Sequence, residues 1–451
     1  MTVSSLKSRT VRASGLSVIG HFASLALRLV SSIILTRLLK PELFGILAVI
    51  TAIQIIIALL TDVGIYQAVV QSARAEEEVF RKTAWTVHAI RGFVIFAICA
   101  VIAGVLYGLG RIPSVPLGPT YGDPALPALI VVNSLSAAIL GLQSMKYMMA
   151  KRSLHFGKII IIDLALQAGG LVATVAIAVV THSIWSYVIG GLLGSLLLVL
   201  MSHYWLDGPK DGFLLDRQAL KDLSKFGRWI FMSSVLSGFA QNGDRLLLAT
   251  LINSTELGYY SIASNLAAVP AGVADRVIGM VGLPALSEIA REHRSRLREI
   301  YWRLRTVLDV VATGMAGLLF ATGQLIVDTL YDNRYAAAGH MLQILSFSLL
   351  FLRCGVSQNV YLALGLPRHV TALSLLKLMS IATFVPMFYW IWGLDGAIAG
   401  FALHMLPSAI YTWWVNQRLG LNQFWFEVAL LGSWLLGWLG GDALVKIAGW
   451  W

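Results

Sequence analysis

Arg28, Arg91, Arg245, Arg276, Arg353 and Lys377, with Asp62, Asp163, Asp244, Asp275 and Asp309, all lie inside long apolar runs of this sequence. An ionisable group in such a run is costly unless it faces a protein interior or a watery cavity, so each is a functional candidate by default. Arginine's planar fork matches phosphate or carboxylate oxygens better than lysine's point charge does. Arg28 sits mid-run, two turns after His21 and on the same helical face. Arg353 sits mid-run in the other half, with Gln358 and Asn359 following. These two are expected to bind an anion in a central cavity; the competing reading is an interhelical pair with a carboxylate. Arg91 and Lys377 lie nearer the ends of their runs, where they either snorkel to the interface or meet an incoming anion first. Asp244 and Arg245, like Asp275 and Arg276, are adjacent and diverge by about 100° on a helix, so each should find a partner on a neighbouring helix. Such pairs read as structural clasps or as a gate. Asp62 and Asp275 are the first candidates to take up H⁺ or Na⁺.

The elements that position these groups must be membrane helices. The chain has 451 residues, 57% hydrophobic and 13% charged, where soluble proteins carry about 25% charge. Spans are expected at 14–36, 43–71, 83–107, 125–146, 155–180 and 184–204, then at 229–251, 257–285, 306–330, 338–365, 370–392 and 396–416. The fold expected is all-α and polytopic: a six-helix bundle over 1–206, a cytoplasmic linker over 207–228, a second six-helix bundle over 229–420, and an extra hydrophobic segment over 421–451 of one or two helices. Basic residues cluster in the N-terminal tail and on the loops of the same side, whereas the opposite loops hold only Arg37, Lys40, Arg111 and Arg334. That bias puts the N-terminus in the cytoplasm. The net charge of +11 is therefore topological and implies no nucleic acid. The arginines of 291–305 read as a solvated cytoplasmic loop near anionic headgroups. Pro270, Pro284 and Pro386 are candidate hinges.

No GxxxxGK[ST] loop, HExxH or CxxC pair occurs, and the longest outer loop, 108–124, carries one Arg and one Asp. No enzyme, cofactor or metal site is expected.

At a constant offset of 213, LTRLLKPELFGIL (35–47) aligns with LATLINSTELGYY (248–260), and Asp62 falls on Asp275. Two six-span halves of the same orientation follow, a parallel repeat of the transporter type. LLKPELFGILAV (38–49), TDVGIYQAVVQ (61–71), QNGDRLLLATLINSTELGYYSIA (241–263) and GLPALSEI (282–289) together resemble the polysaccharide transporter family of lipid-linked oligosaccharide flippases. That family lies within the superfamily that also holds multidrug and toxin exporters and the lipid II flippase. The resemblance implies a V-shaped pair of bundles in a bacterial inner membrane. By alternating access it would move an undecaprenyl-pyrophosphate-linked oligosaccharide for exopolysaccharide, capsule or O-antigen assembly. Its partners would be that lipid-linked substrate, H⁺ or Na⁺ as coupling ion, and polysaccharide assembly proteins. A cation-coupled multidrug exporter of the same superfamily is the alternative, and it would favour carboxylates over arginines in the cavity.

Overall fold

The computed structural model describes residues 3–114, 117–153, 156–277, 286, 287, 289 and 296–449, without the side chains of 3–14, 16–18, 156, 225–233, 275–277, 424, 426 and 428–431. The described residues form helices joined by turns and by longer connections at 110–125 and 205–216, and contain no strand. In chain order the helices are α1 (Val3–Leu38), α2 (Pro41–Leu60), α3 (Ile65–Gln71), α4 (Glu78–Leu109), α5 (Leu126–Gly141), α6 (Met145–Arg152), α7 (Phe156–Thr181) and α8 (Trp185–Tyr204). They continue with α9 (Arg217–Leu251), α10 (Ser254–Val277), α11 (Leu297–Leu330), α12 (Ala337–Leu345), α13 (Arg353–Ala363), α14 (Pro367–Leu403), α15 (Leu406–Arg418) and α16 (Phe424–Ile447). Among the described residues, eight helices are long and apolar enough to cross a membrane, or nine if the bent α5–α6 pair is one span. Large apolar side chains such as Val101, Val105, Val172 and Val179 are exposed along α4 and α7, as lipid-facing residues must be. The protein is an all-α, multi-pass membrane protein.

Two compact units emerge: Met1–Leu43 with Val49–Gly238, and Phe44–Ala48 with Phe239–Trp451. Several expected boundaries shift for identifiable reasons. The run 43–71 is not one span, because Gly64 adopts a left-handed conformation (φ 66°) that ends α2 and restarts the chain as α3. The run 125–146 bends by 63° between α5 and α6. The linker is shorter than 207–228, since α9 begins at Arg217. Its first turns are amphipathic: Ala219 and Leu223, four residues apart, pack with Ile65, Phe80, Trp85 and Met145 of the first unit. The arginine-rich 291–305 stretch is not a solvated loop throughout, because α11 begins at Leu297 and carries Arg305 into the protein interior, 4% exposed. Pro284 lies outside the described residues, whereas Pro270 and Pro386 sit within α10 and α14.

The 213-residue repeat reappears in the backbone. α1 ends at Leu38 and α2 starts at Pro41, while α9 ends at Leu251 and α10 starts at Ser254. Leu35 and Leu39 are buried, as are Leu248 and Ile252 at the matching positions. Beyond that joint the halves diverge: Asp62 stands in a turn, whereas Asp275 is still helical.

The hydrophobic tail forms one helix, α16, laid along α11. The seam is made of small residues: a Cβ added to Gly317 would collide with the Trp434 carbonyl, and one added to Gly437 with the Gly314 carbonyl. Backbone contact this close is the usual device where lipid removes the hydrophobic drive between helices. Trp434 stacks on Phe347 at 6.2 Å, and the Thr313 and Ser433 hydroxyls hydrogen-bond across the seam.

Candidate functional site

α1 shows how Arg28 is presented. Ile19, Phe22, Ala26 and Val30 are exposed along one side of this helix. On the other side Gly20 lies against Ile160, and the Ser24 hydroxyl donates to Gln167 Oε1 at 2.8 Å, both partners on α7. At 100° per residue, Arg28 lies within about 40° of Ser24 and about 20° of His21, and roughly opposite the apolar stripe. Arg28 is nonetheless exposed, and it makes no hydrogen bond or ion pair among the described residues. A guanidinium at the middle of a span costs about 3 kcal/mol when it meets lipid. By its position on the helix, Arg28 belongs to the polar flank that carries His21 and Ser24, opposite the exposed apolar stripe.

Arg353, the first residue of α13, is held differently. Its Nη1 donates to Glu427 Oε2 of α16 at 2.9 Å. The same oxygen accepts from Arg305 Nη2 at 2.6 Å, and Arg305 Nε donates to Asp309 Oδ2 at 2.9 Å. Arg305 also lies over the Trp302 ring, 4.9 Å from its centroid. Two cations and two carboxylates thus balance across α11, α13 and α16. The Arg305 and Asp309 side chains are only 5% and 2% exposed, whereas Arg353 is 31% exposed at the edge of the cluster. The interhelical pair raised from the sequence is present, and Arg353 keeps an accessible face beside it. A buried polar network continues from it: Tyr301 and Ser357 share a hydrogen bond at 3.0 Å, and Asn416 of α15 donates to Tyr301 and accepts from Tyr361.

Arg91 and Asp62 meet at the end of α2. Arg91 donates through Nε to the Thr61 carbonyl at 3.0 Å and through Nη2 to the Ala58 carbonyl at 2.6 Å, which satisfies carbonyls that a helix terminus leaves open. Asp62 Oδ1 accepts from the Gly64 amide at 3.0 Å, closing an Asx turn, and Oδ2 accepts from Ser234 at 3.3 Å. Both residues are therefore engaged in shaping the α2–α3 break.

In the second unit Asp244 is buried, 2% exposed. Its Oδ2 accepts from Tyr260 of α10, and its Oδ1 has no hydrogen-bond partner among the described residues. Arg245 turns the other way and donates to Asn265 Oδ1, also on α10, at 3.1 Å. The adjacent pair diverges onto separate partners of one neighbouring helix. The side chains of Asp275 and Arg276 lie outside the described residues. Lys377 is half-buried on α14.

The sequence reading missed Glu427 and Arg305. Glu427 is the lone acid in the first turn of an apolar segment, and Arg305 and Asp309 are four residues apart inside one. Those two signals, taken together, identify the cluster.

Comparison with known proteins decides the family. Residues 34–340 match the model described as "Polysaccharide biosynthesis protein". The chain belongs to this polysaccharide biosynthesis family. Among its relatives is the lipopolysaccharide biosynthesis protein WzxC of Escherichia coli (strain K12), 23% identical over 345 residues, covering 76% of this chain and 67% of that one. Another is the succinoglycan biosynthesis transport protein ExoT of Rhizobium meliloti (strain 1021), 25% identical over 336 residues, covering 74% and 65%. The chain thus spans about two thirds of the length of these relatives. Among solved structures, the lipid II flippase MurJ in an inward closed conformation superposes with a TM-score of 0.70 at 15% identity, covering 96% of this chain and 98% of that one. An inward-facing multidrug resistance MATE transporter gives 0.65 at 14% identity, covering 94% and 95%. At these identities the likeness is one of fold. The family member described here therefore shares its helical architecture with transporters.

Proposed function

We propose that the chain is a flippase that carries an undecaprenyl-pyrophosphate-linked oligosaccharide across the bacterial inner membrane by alternating access, for exopolysaccharide, capsule or O-antigen assembly. Family membership and the names of the relatives support the substrate class, and the fold likeness supports transport over catalysis. The excess of basic residues on one set of loops supports a cytoplasmic N-terminus.

Arg28 carries this reading. An exposed guanidinium at mid-span, without a partner among the described residues and on the flank of α1 away from its apolar stripe, suits an anionic headgroup whose polyprenyl chain stays in lipid. Arg353, with an accessible face beside Glu427, is the second cation assigned to the headgroup. Lys377 is assigned as an accessory cation, whereas Arg91 serves by fixing the end of α2. Asp244, buried with one oxygen unpartnered among the described residues, is assigned to the uptake of H⁺ or Na⁺.

In cells lacking their own copy, Arg28→Ala should abolish surface polysaccharide while drug susceptibility stays unchanged, and Arg28→Lys should restore part of the export. Normal polysaccharide at a normal membrane level of Arg28→Ala would refute the assignment. Loss of drug resistance with normal polysaccharide would move the chain to the multidrug exporters.

A further inference from the structure

A second cationic site lies wholly within the first unit, at the end that carries its basic residues. A cavity of about 570 Å³ is walled by Arg81 of α4, Lys146 and Arg152 of α6, Lys158 of α7, and the acids Glu76 and Asp207. Four cations face two carboxylates. Three of the cations are held in place. Lys146 Nζ donates to the His203 carbonyl at 2.8 Å, and Arg152 Nη1 donates to the carbonyls of Val69, Val70 and Ser72 at 2.6 to 2.9 Å. Lys158 pairs with Asp207 at 2.6 Å on the exposed lip.

Arg81 is the exception. It is 6% exposed, its Nε has no hydrogen-bond partner, and its guanidinium makes no ion pair among the described residues. A buried guanidinium without a paired carboxylate is strongly unfavourable, and the three further cations bordering the same space, Lys146, Arg152 and Lys158, deepen the cost. Glu78, three residues earlier on α4, is 68% exposed and pairs with Lys82, so it offsets little of that charge. We propose that this cavity is a binding site for a phosphate-bearing group, with the fork of Arg81 as its central donor and Lys146 and Lys158 as flanking charges.

The volume falls in the range of small-molecule sites, roughly 300–1,000 Å³, enough for a diphosphate or for a phospholipid headgroup. Both ligands share the anionic oxygens that Arg81 lacks. The inference requires neither Arg28 nor a transport cycle, so it stands apart from the flippase reading.

The test uses the purified full chain in neutral lipid nanodiscs and radiolabelled inorganic pyrophosphate as the probe. Binding should be saturable, weakened at least tenfold by Arg81→Gln and several-fold by Lys158→Gln, with Arg81→Lys intermediate. Lys158 is half exposed, so its variant reports even if Arg81→Gln fails to fold. Absence of saturable binding, or affinity unchanged by both Arg81→Gln and Lys158→Gln, overturns the proposal. Nanodiscs containing one fifth phosphatidylglycerol separate the two sources. A tenfold drop in pyrophosphate affinity there makes a phospholipid headgroup the occupant, and unchanged affinity makes it a diphosphate ligand. Because the flippase reading is judged by export in cells, failure here leaves Arg28 untouched.

Discussion

Replacing Glu427 by Gln keeps the shape of the side chain and removes the charge that two arginines share. Glu427 Oε2 accepts at 2.6 Å from Arg305, whose side chain is 5% exposed, and at 2.9 Å from Arg353, which is 31% exposed. A hydrogen bond to a charged group contributes about 1.5–3 kcal/mol, and the buried Arg305 contact should count near the top of that range. The Arg353 contact is screened and should contribute under about 1 kcal/mol. Glu427→Gln should therefore destabilise the protein by about 3 kcal/mol, roughly a hundredfold in the folding equilibrium. Arg353→Met should cost less than about 1 kcal/mol, because it leaves the neutral Arg305–Asp309 pair beside a partly exposed carboxylate. Unfolding in mixed micelles of rising dodecyl sulfate content, followed by tryptophan fluorescence, gives both values; Trp434 in its contact with Phe347 reports directly on α16. A double-mutant cycle isolates the Glu427–Arg353 term. If Arg353→Met destabilises as much as Glu427→Gln, Arg353 is a structural member of the cluster and its assignment to the headgroup is wrong.

Three further outcomes follow from the same geometry. Asp244→Asn should abolish ion-driven transport while keeping the Tyr260 hydrogen bond, and Tyr260→Phe should retain coupling with altered ion affinity; normal gradient-driven uptake by Asp244→Asn in proteoliposomes would exclude Asp244 as the coupling group. Gly64→Ala should cost about 1–2 kcal/mol, because the left-handed φ of 66° admits a Cβ poorly, and the same micelle titration measures it. Gly437→Val should displace α16 from α11, since even a Cβ meets the Gly314 carbonyl; faster proteolysis after residue 418 is the readout, and an unchanged rate would show that the seam does not hold the helix.

How much was legible in the sequence depends on whether the signal was local. The joint near Leu38–Pro41 and its counterpart at Leu251–Ser254 could be read because helix ends and buried leucines repeat at one offset. The break at Gly64 was not read, because TDVG sits inside an apolar run that hydropathy averages into one span, and only backbone conformation separates α2 from α3. The first turns of α9 were read as linker because their charge outweighed the apolar pair Ala219 and Leu223. Arg28 was picked out by its residue type and position within a span, and no partner for it is found among the described residues. Arg353 was picked out the same way, but its partner lies 74 residues away in a segment whose placement sequence could not give. Arg81 gives no signal of its own in the sequence, because a charged residue near a helix start looks solvated until its neighbours are known.

The shared carboxylate on α16 also bears on how the protein is made. Residue 427 leaves the ribosome after Arg305 and Arg353, so until α16 inserts, those arginines are balanced, among the described residues, only by Asp309. A chain stopped short of Phe424 by a nonsense mutation would keep that surplus charge inside the bilayer permanently. Such a product should be a substrate for membrane quality-control proteases, so α16 ties the settling of two arginines to a segment synthesised after both of them.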